Sequence, residues 1–308
     1  MGGASLLGSH LCERLVGDGH EVIAIDDFTT GSFASLAHLK REPRFAFVEH
    51  DITQKFDAHV DAIFQLALPS SRRACESDPV RATVTSVMGT VHAFEIAAEQ
   101  GARVVLATSA ERWGQGVRCA ESLAIDFATT RGVDVRTVRV ASVYGPRMSP
   151  DDPSIVTRLV LQSLRGEPLE ADVRSDAPVR LSYVDDAVDT LARTMASSLR
   201  VPAVAAPFVD TTVGAIIEAV AGSASASAPA PASPPASGPT PSLPPSLRGT
   251  TPEAISAAIV FGQPNATELR EGIARTVRWF EERLGRRTGE RDSGIFGPPP
   301  IAAPARSA

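Results

Sequence analysis

Short apolar runs alternate along the first half of the chain with longer segments in which apolar residues recur every three or four positions. The short runs are typical of strands buried on both faces of a parallel sheet. They cover residues 21–26, 44–49, 61–66, 103–108 and 133–140. The longer segments predict helices, because 3.6 residues per turn bring such positions onto one face. This alternation predicts an α/β fold with a Rossmann-like, doubly wound parallel sheet over residues 1–150.

The helices of this first half have clear boundaries. Leu7, Leu11 and Leu15 recur at helical spacing, and Gly17 with Gly19 ends the helix that carries them. Two further helices are predicted over residues 79–100 and 118–130.

The pattern loosens after residue 150. Helices are predicted at 154–165, 185–197 and 211–220, the first two separated by a charged, irregular piece. Residues 223–246 are almost entirely Ala, Ser and Pro and cannot bury a core, which predicts a flexible insert. A capping box at 265–268 precedes a last helix. Residues 151–285 are therefore predicted to form a smaller α/β substrate-binding region, followed by a disordered tail at 286–308.

Composition and charge narrow the class of protein. The chain has 308 residues, 43% of them hydrophobic, and a net charge of -6, which makes no electrostatic case for nucleic-acid binding. Its three cysteines and six histidines show no metal-ligand spacing, and an odd number of scattered cysteines favours a reduced protein. No leader and no apolar run of membrane length is present. We therefore expect a cytoplasmic protein with no metal, nucleic-acid or membrane partner.

A glycine-rich turn at the start of the chain is the first candidate for binding chemistry. Gly2, Gly3 and Gly8 open the first helix, and Asp26 closes the next strand, at about the spacing of a dinucleotide-binding unit. Glycines let the backbone approach a pyrophosphate, and the helix N-terminus offers it free N–H groups. The strand expected before the turn is missing from the sequence, so we expect a gapped sheet with unpaired backbone groups.

Two segments are more specific indicators of a protein family than the glycine turn. They are Tyr144-Gly-Pro-Arg-Met148 and Leu164-Arg-Gly-Glu-Pro-Leu169. With them, the chain resembles the extended short-chain dehydrogenase/reductases of the NAD-dependent epimerase/dehydratase family, most closely the UDP-glucuronate decarboxylases. The resemblance extends to about residue 285, apart from the Ala/Ser/Pro insert. It implies NAD as cofactor, a nucleotide sugar such as UDP-glucuronate as ligand, and a homodimer.

The resemblance also implies which residues form the site. Those at the cofactor would be Gly2, Ser5, Leu6, Leu7, Gly8, Asp26, Asp27, Phe28, Thr29, Gly31, Asp51, Ile52, Leu66 and Ala67. Arg147, Arg158 and Arg180 would face the nucleotide sugar, whose phosphates a guanidinium can bind bidentately. Ser109 and Glu111 match residues beside the reacting carbon of the sugar.

The catalytic pair of this family is absent. The family uses Tyr-x-x-x-Lys, in which the lysine charge lowers the tyrosine pKa and makes a phenolate base available. The sequence has two tyrosines, Tyr144 and Tyr183, which are followed four positions later by Met148 and Ala187. Both lysines precede residue 60. No Tyr-x-x-x-Lys pair can therefore exist in this sequence.

Further departures lie near the same site. Val117 stands in the place of the lysine, Ser5 in that of the middle glycine, Gln65 in that of a histidine, and Ser86 and Ser142 in those of asparagines. These losses predict an impaired or inactive enzyme. Two alternatives stay open at this point: an active nucleotide-sugar enzyme acting through Ser109 and Glu111, and a truncated, non-functional reading frame.

Overall fold

A computed structural model describes residues 1–68, 76–110, 114–198, 203–224, 254–262 and 266–289 of the chain. The strands are β1 Val22–Asp26, β2 Phe45–Glu49, β3 Ala62–Gln65, β4 Arg103–Ser109, β5 Val135–Val140, β6 Ser142–Tyr144, β7 Pro178–Tyr183, β8 Ala203–Ala205, β9 Val209–Thr212 and β10 Ile255–Ser256. The α-helices are α1 Leu6–Gly17, α2 Pro79–Gln100, α3 Gln115–Arg131, α4 Ile155–Leu164, α5 Val184–Ala196, α6 Val213–Ala224, α7 Ala257–Phe261 and α8 Leu269–Gly289, with a 3₁₀ helix at Phe33–Leu39.

The central sheet is parallel and covered on both faces. Its five strands follow the order β10-β8-β5-β4-β3. Along β4, Val105 and Ala107 belong to a core cluster that includes α1 and α5 side chains. Val104 and Leu106 point to the other side, into a cluster with α2 and α3 side chains. Successive side chains of a strand alternate between faces, so this strand is buried on both. The predicted doubly wound α/β class is confirmed.

The sheet is interrupted between β1 and β3, as expected from the missing strand. β1 pairs only with β2, in a separate two-stranded parallel sheet. The backbone of Met1 and Gly2 crosses the interval: Gly2 N donates to Ile25 O at 2.8 Å and Leu66 N donates to Met1 O at 3.1 Å. The Met1 ammonium donates to Phe64 O at 2.8 Å. Burial of this group lowers the pKa of the amine. Met1 and Gly2 therefore connect β1 and β3 through backbone hydrogen bonds.

The second half of the chain adds a three-stranded sheet, β6-β7-β9, in which β7 and β9 are antiparallel. β7 lies where the sequence analysis expected an irregular piece. The alternation of Val179, Leu181 and Tyr183 with Arg180 and Ser182 is that of a half-buried strand and was overlooked. Helices α4, α6 and α8 contribute to the core cluster beside this sheet.

Two helices extend several residues past their predicted ends. The last helix ends at Gly289, past the predicted boundary at 285, and α6 includes the first two residues of the predicted insert. The rest of the insert and residues 290–308 lie outside the described residues. Among the helices that the structure describes, none combines the length and apolarity needed to cross a membrane.

Candidate cofactor and substrate site

The glycine turn lies at the carboxyl ends of β1 and β3. Gly2 has a φ of 77°, and a Cβ added there would lie 2.9 Å from Ala67 N. A Cβ at Gly8 would lie 2.1 Å from Gly2 O. Both positions therefore require glycine. Leu66 and Ala67, which follow β3, lie against Gly2 of the turn.

Ser5 caps α1 and binds the turn itself. Its hydroxyl accepts a hydrogen bond from Gly8 N at 3.0 Å and donates one to Gly2 O at 2.8 Å. The first N–H groups of a helix are the donors that a bound phosphate uses. The Ser5 hydroxyl therefore already accepts from one of these first N–H groups. Leu6 and Leu7 follow in the first turn of α1 and pack against the core.

Asp26 ends β1 and is buried against the turn. Its Oδ2 accepts from Ala4 N and its Oδ1 accepts from Phe28 N, each at 2.9 Å. Burial raises the pKa of Asp26, although these two N–H groups favour the carboxylate. The side chain thus joins the turn to the loop after β1, at the position expected to face an adenosine ribose.

The loop after β1 is held by short-range contacts. Thr29 N and Thr29 Oγ1 donate to the Asp27 carboxylate at 2.9 and 2.6 Å. Phe28 has a φ of 58°, unusual for a bulky residue, and its ring stacks on Phe47 with centroids 5.1 Å apart. Gly31 lies so close to Ala4 that an added Cβ would come within 2.9 Å of its backbone.

Asp51 and Ile52 lie at the end of β2, on the same edge. Asp51 Oδ1 accepts from Thr53 N at 2.8 Å, and this hydrogen bond lowers the pKa of Asp51. Ile52 is buried against α2, where its carbonyl oxygen lies 2.9 Å from His92 Nδ1. The predicted cofactor residues therefore gather at the carboxyl ends of β1, β2 and β3, where parallel α/β sheets bind ligands.

Of the two residues expected beside the sugar, the structure describes one. Ser109 ends β4 and pairs in register with Val140 of β5. Glu111 lies outside the described residues. The preceding Thr108 Oγ1 donates to Glu121 Oε1 at 2.9 Å, and the Arg139 guanidinium donates to both Glu121 oxygens at 2.9 and 3.0 Å.

This buried Thr108–Glu121–Arg139 cluster was missed by the sequence analysis. Its three members lie far apart in the sequence and follow no recognisable spacing. They meet because β4, β5 and α3 pack together. The cluster places a neutralised charge pair directly behind the end of β4.

Three of the substituted positions, Val117, Gln65 and Ser86, are fully buried. Val117, in the place of the catalytic lysine, is buried in α3 and cannot carry a charge. Gln65 ends β3, and neither atom of its amide has a hydrogen-bond partner within the described residues. An unsatisfied buried amide is costly by about 1–3 kcal/mol. Ser86 lies so close to Gly116 that a Cβ added to Gly116 would come within 2.8 Å of the Ser86 side chain. Helices α2 and α3 therefore approach each other closely at this point.

The three arginines predicted at the nucleotide sugar each pair with a carboxylate. Arg147 contacts Glu13 of α1, and Arg158 contacts Asp172. Arg180 donates to Asp210 Oδ1 at 3.0 Å and lies 4.5 Å over the Phe208 ring. Each guanidinium has a different acid as its partner, and the structure gives no contact among the three.

Both tyrosines belong to the core of the second half of the chain. Tyr144 and Tyr183 are buried with their rings in edge contact, centroids 5.6 Å apart. The Tyr144 hydroxyl has no partner among the described residues and lies against Gly272 of α8. Burial raises the pKa of each tyrosine. Neither side chain forms a phenolate readily.

A doubly wound parallel sheet with a glycine turn, an acid at the end of β1 and ligand positions at its carboxyl edge defines a dinucleotide-binding protein. The sequence profile of the NAD dependent epimerase/dehydratase family matches residues 1–204. The chain belongs to this family, as the sequence analysis predicted.

Relatives and solved structures agree with that assignment. UDP-glucuronic acid decarboxylase 1 of Arabidopsis thaliana is 35% identical over 219 residues, 63% of this chain and 50% of that protein. The zebrafish (Danio rerio) protein of the same name is 26% identical over 308 residues, 92% of this chain and 72% of that protein. The chain thus spans about half the length of the Arabidopsis relative it matches.

Two solved structures share the fold. UDP-glucose 4-epimerase of Thermotoga maritima, crystallised with UDP-glucose, superposes with a TM-score of 0.75 at 21% identity, covering 92% of this chain and 98% of that one. The enzyme WbmF of Bordetella bronchiseptica, in complex with NAD+, gives a TM-score of 0.74 at 17% identity, covering 94% of this chain and 93% of that one.

Proposed function

We propose that this protein is a catalytically impaired relative of the UDP-glucuronate decarboxylases that keeps weak binding of NAD and of a nucleotide sugar. The observation that carries the proposal is the absence of Tyr-x-x-x-Lys from the whole sequence. Removing a general base commonly lowers a rate by about 10²–10⁴, and here the lysine that activates the base is missing as well.

The positions of the tyrosines support this proposal. A catalytic phenolate needs a lowered pKa and access to the substrate. Tyr144 and Tyr183 have raised pKa values and are buried in the core beside α8. The substituted lysine position, Val117, is buried in α3. No other tyrosine is present to take their place.

The cofactor cradle fits NAD in part. Gly2 and Gly8 allow the tight turn whose backbone would face the pyrophosphate, and Asp26 stands at the expected ribose position. When bound, the nicotinamide supplies a hydride acceptor for the sugar. Ser5 opposes binding because its hydroxyl takes the Gly8 N–H. We therefore expect NAD affinity below that of family members with glycine at this position.

The nucleotide sugar, with UDP-glucuronate as first candidate, would bind between a cofactor domain of residues 1–150 and a substrate region of residues 151–285. Arg180 supports this assignment because it is partly exposed and its single acid partner, Asp210, lies on the surface. A diphosphate could replace that carboxylate, since guanidinium groups bind phosphate oxygens well.

A homodimer is also part of this proposal. Val80, Val84 and Met88 form an apolar stripe on the outer face of α2, with exposures of 72%, 45% and 37%. Ile125 of the neighbouring α3 is 42% exposed. Exposed apolar side chains at helical spacing are typical of a subunit contact. Sedimentation of wild type and Val84→Glu tests it: a dimer that dissociates in the variant supports the contact, and a wild-type monomer contradicts it.

A cytoplasmic location completes the proposal. Cys12 is a buried free thiol and Cys119 an exposed one, which suits a reducing compartment.

Two measurements test the central claim. Calorimetry with NAD measures binding, and product analysis with UDP-glucuronate and NAD measures turnover, with the Arabidopsis relative as positive control. We expect weak NAD binding and no turnover above background. Turnover at a rate near that of the control would support an active enzyme, acting through Ser109 and Glu111, and would contradict impairment. Failure to bind NAD at millimolar concentration would contradict the retained binding.

A further inference from the structure

Arg147 adopts a backbone conformation that an arginine rarely takes. Its φ is 71°, in the left-handed region that favours glycine. Such a conformation persists only where surrounding contacts hold it, and it concentrates at functional sites. The residue belongs to the segment 145–148, which joins β6 to the start of the substrate region.

The contacts that hold this segment come from α1. The Arg147 guanidinium pairs with Glu13 and donates to Ser9 O at 3.4 Å. The preceding carbonyl, Pro146 O, lies 2.9 Å from His10 Nε2. The Arg147 side chain is 19% exposed and that of Glu13 is 48% exposed. Two consecutive residues of the segment are thus bound to one face of α1.

The partner helix carries the candidate pyrophosphate site. α1 begins directly after the glycine turn, and its Ser9 and His10 directly follow Gly8. The other end of the segment is anchored in the core through the buried side chain of Met148. A change in the position of α1 would therefore reach the substrate region through Arg147.

We propose that Arg147 is a positioning residue whose ion pair with Glu13 holds α1 against the segment 145–148 and couples the cofactor end of the site to its substrate end. This inference rests on the proposed ligand sites, but the contact itself exists without ligand. It differs from a direct role of Arg147 at the nucleotide sugar, because the guanidinium points to α1 and has an acid as its partner.

Hydrogen exchange of the ligand-free protein tests the contact. Glu13→Ala and Arg147→Ala should each accelerate amide exchange in residues 6–12 and 142–148 by about three- to ten-fold, the range expected for losing one charge-assisted contact. Arg147→Gly should accelerate exchange in 142–148 less than Arg147→Ala, because glycine keeps the left-handed φ without strain. His38→Ala is the matched control, since His38 Nε2 lies 3.8 Å from the same Glu13 carboxylate but not in the segment.

The exchange rates of these variants decide whether the Arg147–Glu13 ion pair holds α1 against the segment 145–148. Accelerated exchange in Arg147→Ala without any change in Glu13→Ala would overturn the proposal, as would unchanged exchange in both. Glu13 is half exposed, so its variant should fold even where Arg147 variants do not.

Binding of NAD and of UDP, each measured by calorimetry, extends the test. We expect Glu13→Ala and Arg147→Ala to weaken both ligands equally, by about three- to ten-fold. A loss of UDP binding confined to Arg147→Ala would identify a direct nucleotide contact and overturn the positioning role. A wild type that binds no NAD would contradict the proposed function, whereas the exchange result would still decide the contact.

Discussion

Replacing Ser5 by glycine should strengthen NAD binding. In the structure the Ser5 hydroxyl accepts the Gly8 N–H at 3.0 Å, so this donor is not free for a phosphate. Glycine at this position removes the acceptor and also the Cβ beside the turn. The variant restores the composition of a glycine-rich phosphate loop at a single site.

The expected gain follows from one hydrogen bond. A backbone N–H that binds a charged phosphate oxygen contributes about 1.5–3 kcal/mol. Glycine is itself an acceptable N-cap, so the change costs α1 only a few tenths of a kcal/mol. The net effect corresponds to a roughly tenfold or greater increase in NAD affinity, because 1.4 kcal/mol is tenfold.

Calorimetry with NAD measures this gain, and adenosine, which lacks the phosphates, should bind unchanged. Ser5→Ala separates two causes: it frees the Gly8 N–H but keeps the Cβ, and costs about 1 kcal/mol of stability through the lost cap. Ser9→Ala is the matched control, since the Ser9 hydroxyl donates to Leu6 O within the same helix. Equal NAD affinity in wild type, Ser5→Ala and Ser5→Gly would refute the reasoning.

Three further predictions concern stability. A four-residue extension of β-branched residues, placed before Met1, should raise Tm by several degrees. The extension would pair with the open edges of β1 and β3 and would turn a buried ammonium into a peptide N–H. An equal rise in Tm with a Gly-Pro extension would contradict this explanation. Tyr144→Phe should leave the free energy of unfolding unchanged or raise it by about 1 kcal/mol in urea titrations. The reason is that the buried Tyr144 hydroxyl has no hydrogen-bond partner within the described residues. A loss of stability above about 1 kcal/mol would show that the hydroxyl does have a partner. Asp134→Asn should cost about 1–2 kcal/mol at pH 7, because the carboxylate neutralises the buried Arg136 guanidinium. Burial alone raises the pKa of Asp134, but hydrogen bonds from Arg136 and Arg103 lower it overall. Its contribution is therefore complete above the unfolded pKa of about 3.9 and disappears as pH falls through the lower folded value, so wild type and variant should converge in acid.

Much of the fold could be predicted from the sequence because buried parallel strands and amphipathic helices leave direct patterns. β1 to β5 and helices α1 to α3 lie close to their predicted ranges. β7 was missed although its apolar residues alternate with Arg180 and Ser182 as in a half-buried strand, and its pairing with β6 and β9 depends on neighbours distant in sequence. Short strands such as β8 depend in the same way on neighbours that the sequence does not reveal.

The candidate site, like the fold, could be predicted from the sequence only in part. The sequence alone determined that no Tyr-x-x-x-Lys pair can exist, since neither of the two tyrosines has a lysine four positions after it. It also placed the glycine turn, Asp26 and the interrupted sheet, because these depend on residue type and order. Only the tertiary structure decided that the Ser5 hydroxyl takes a helix donor, that Arg147 faces α1, and that Thr108, Glu121 and Arg139 form one buried cluster. Such contacts join residues distant in sequence, and packing selects them without any local pattern.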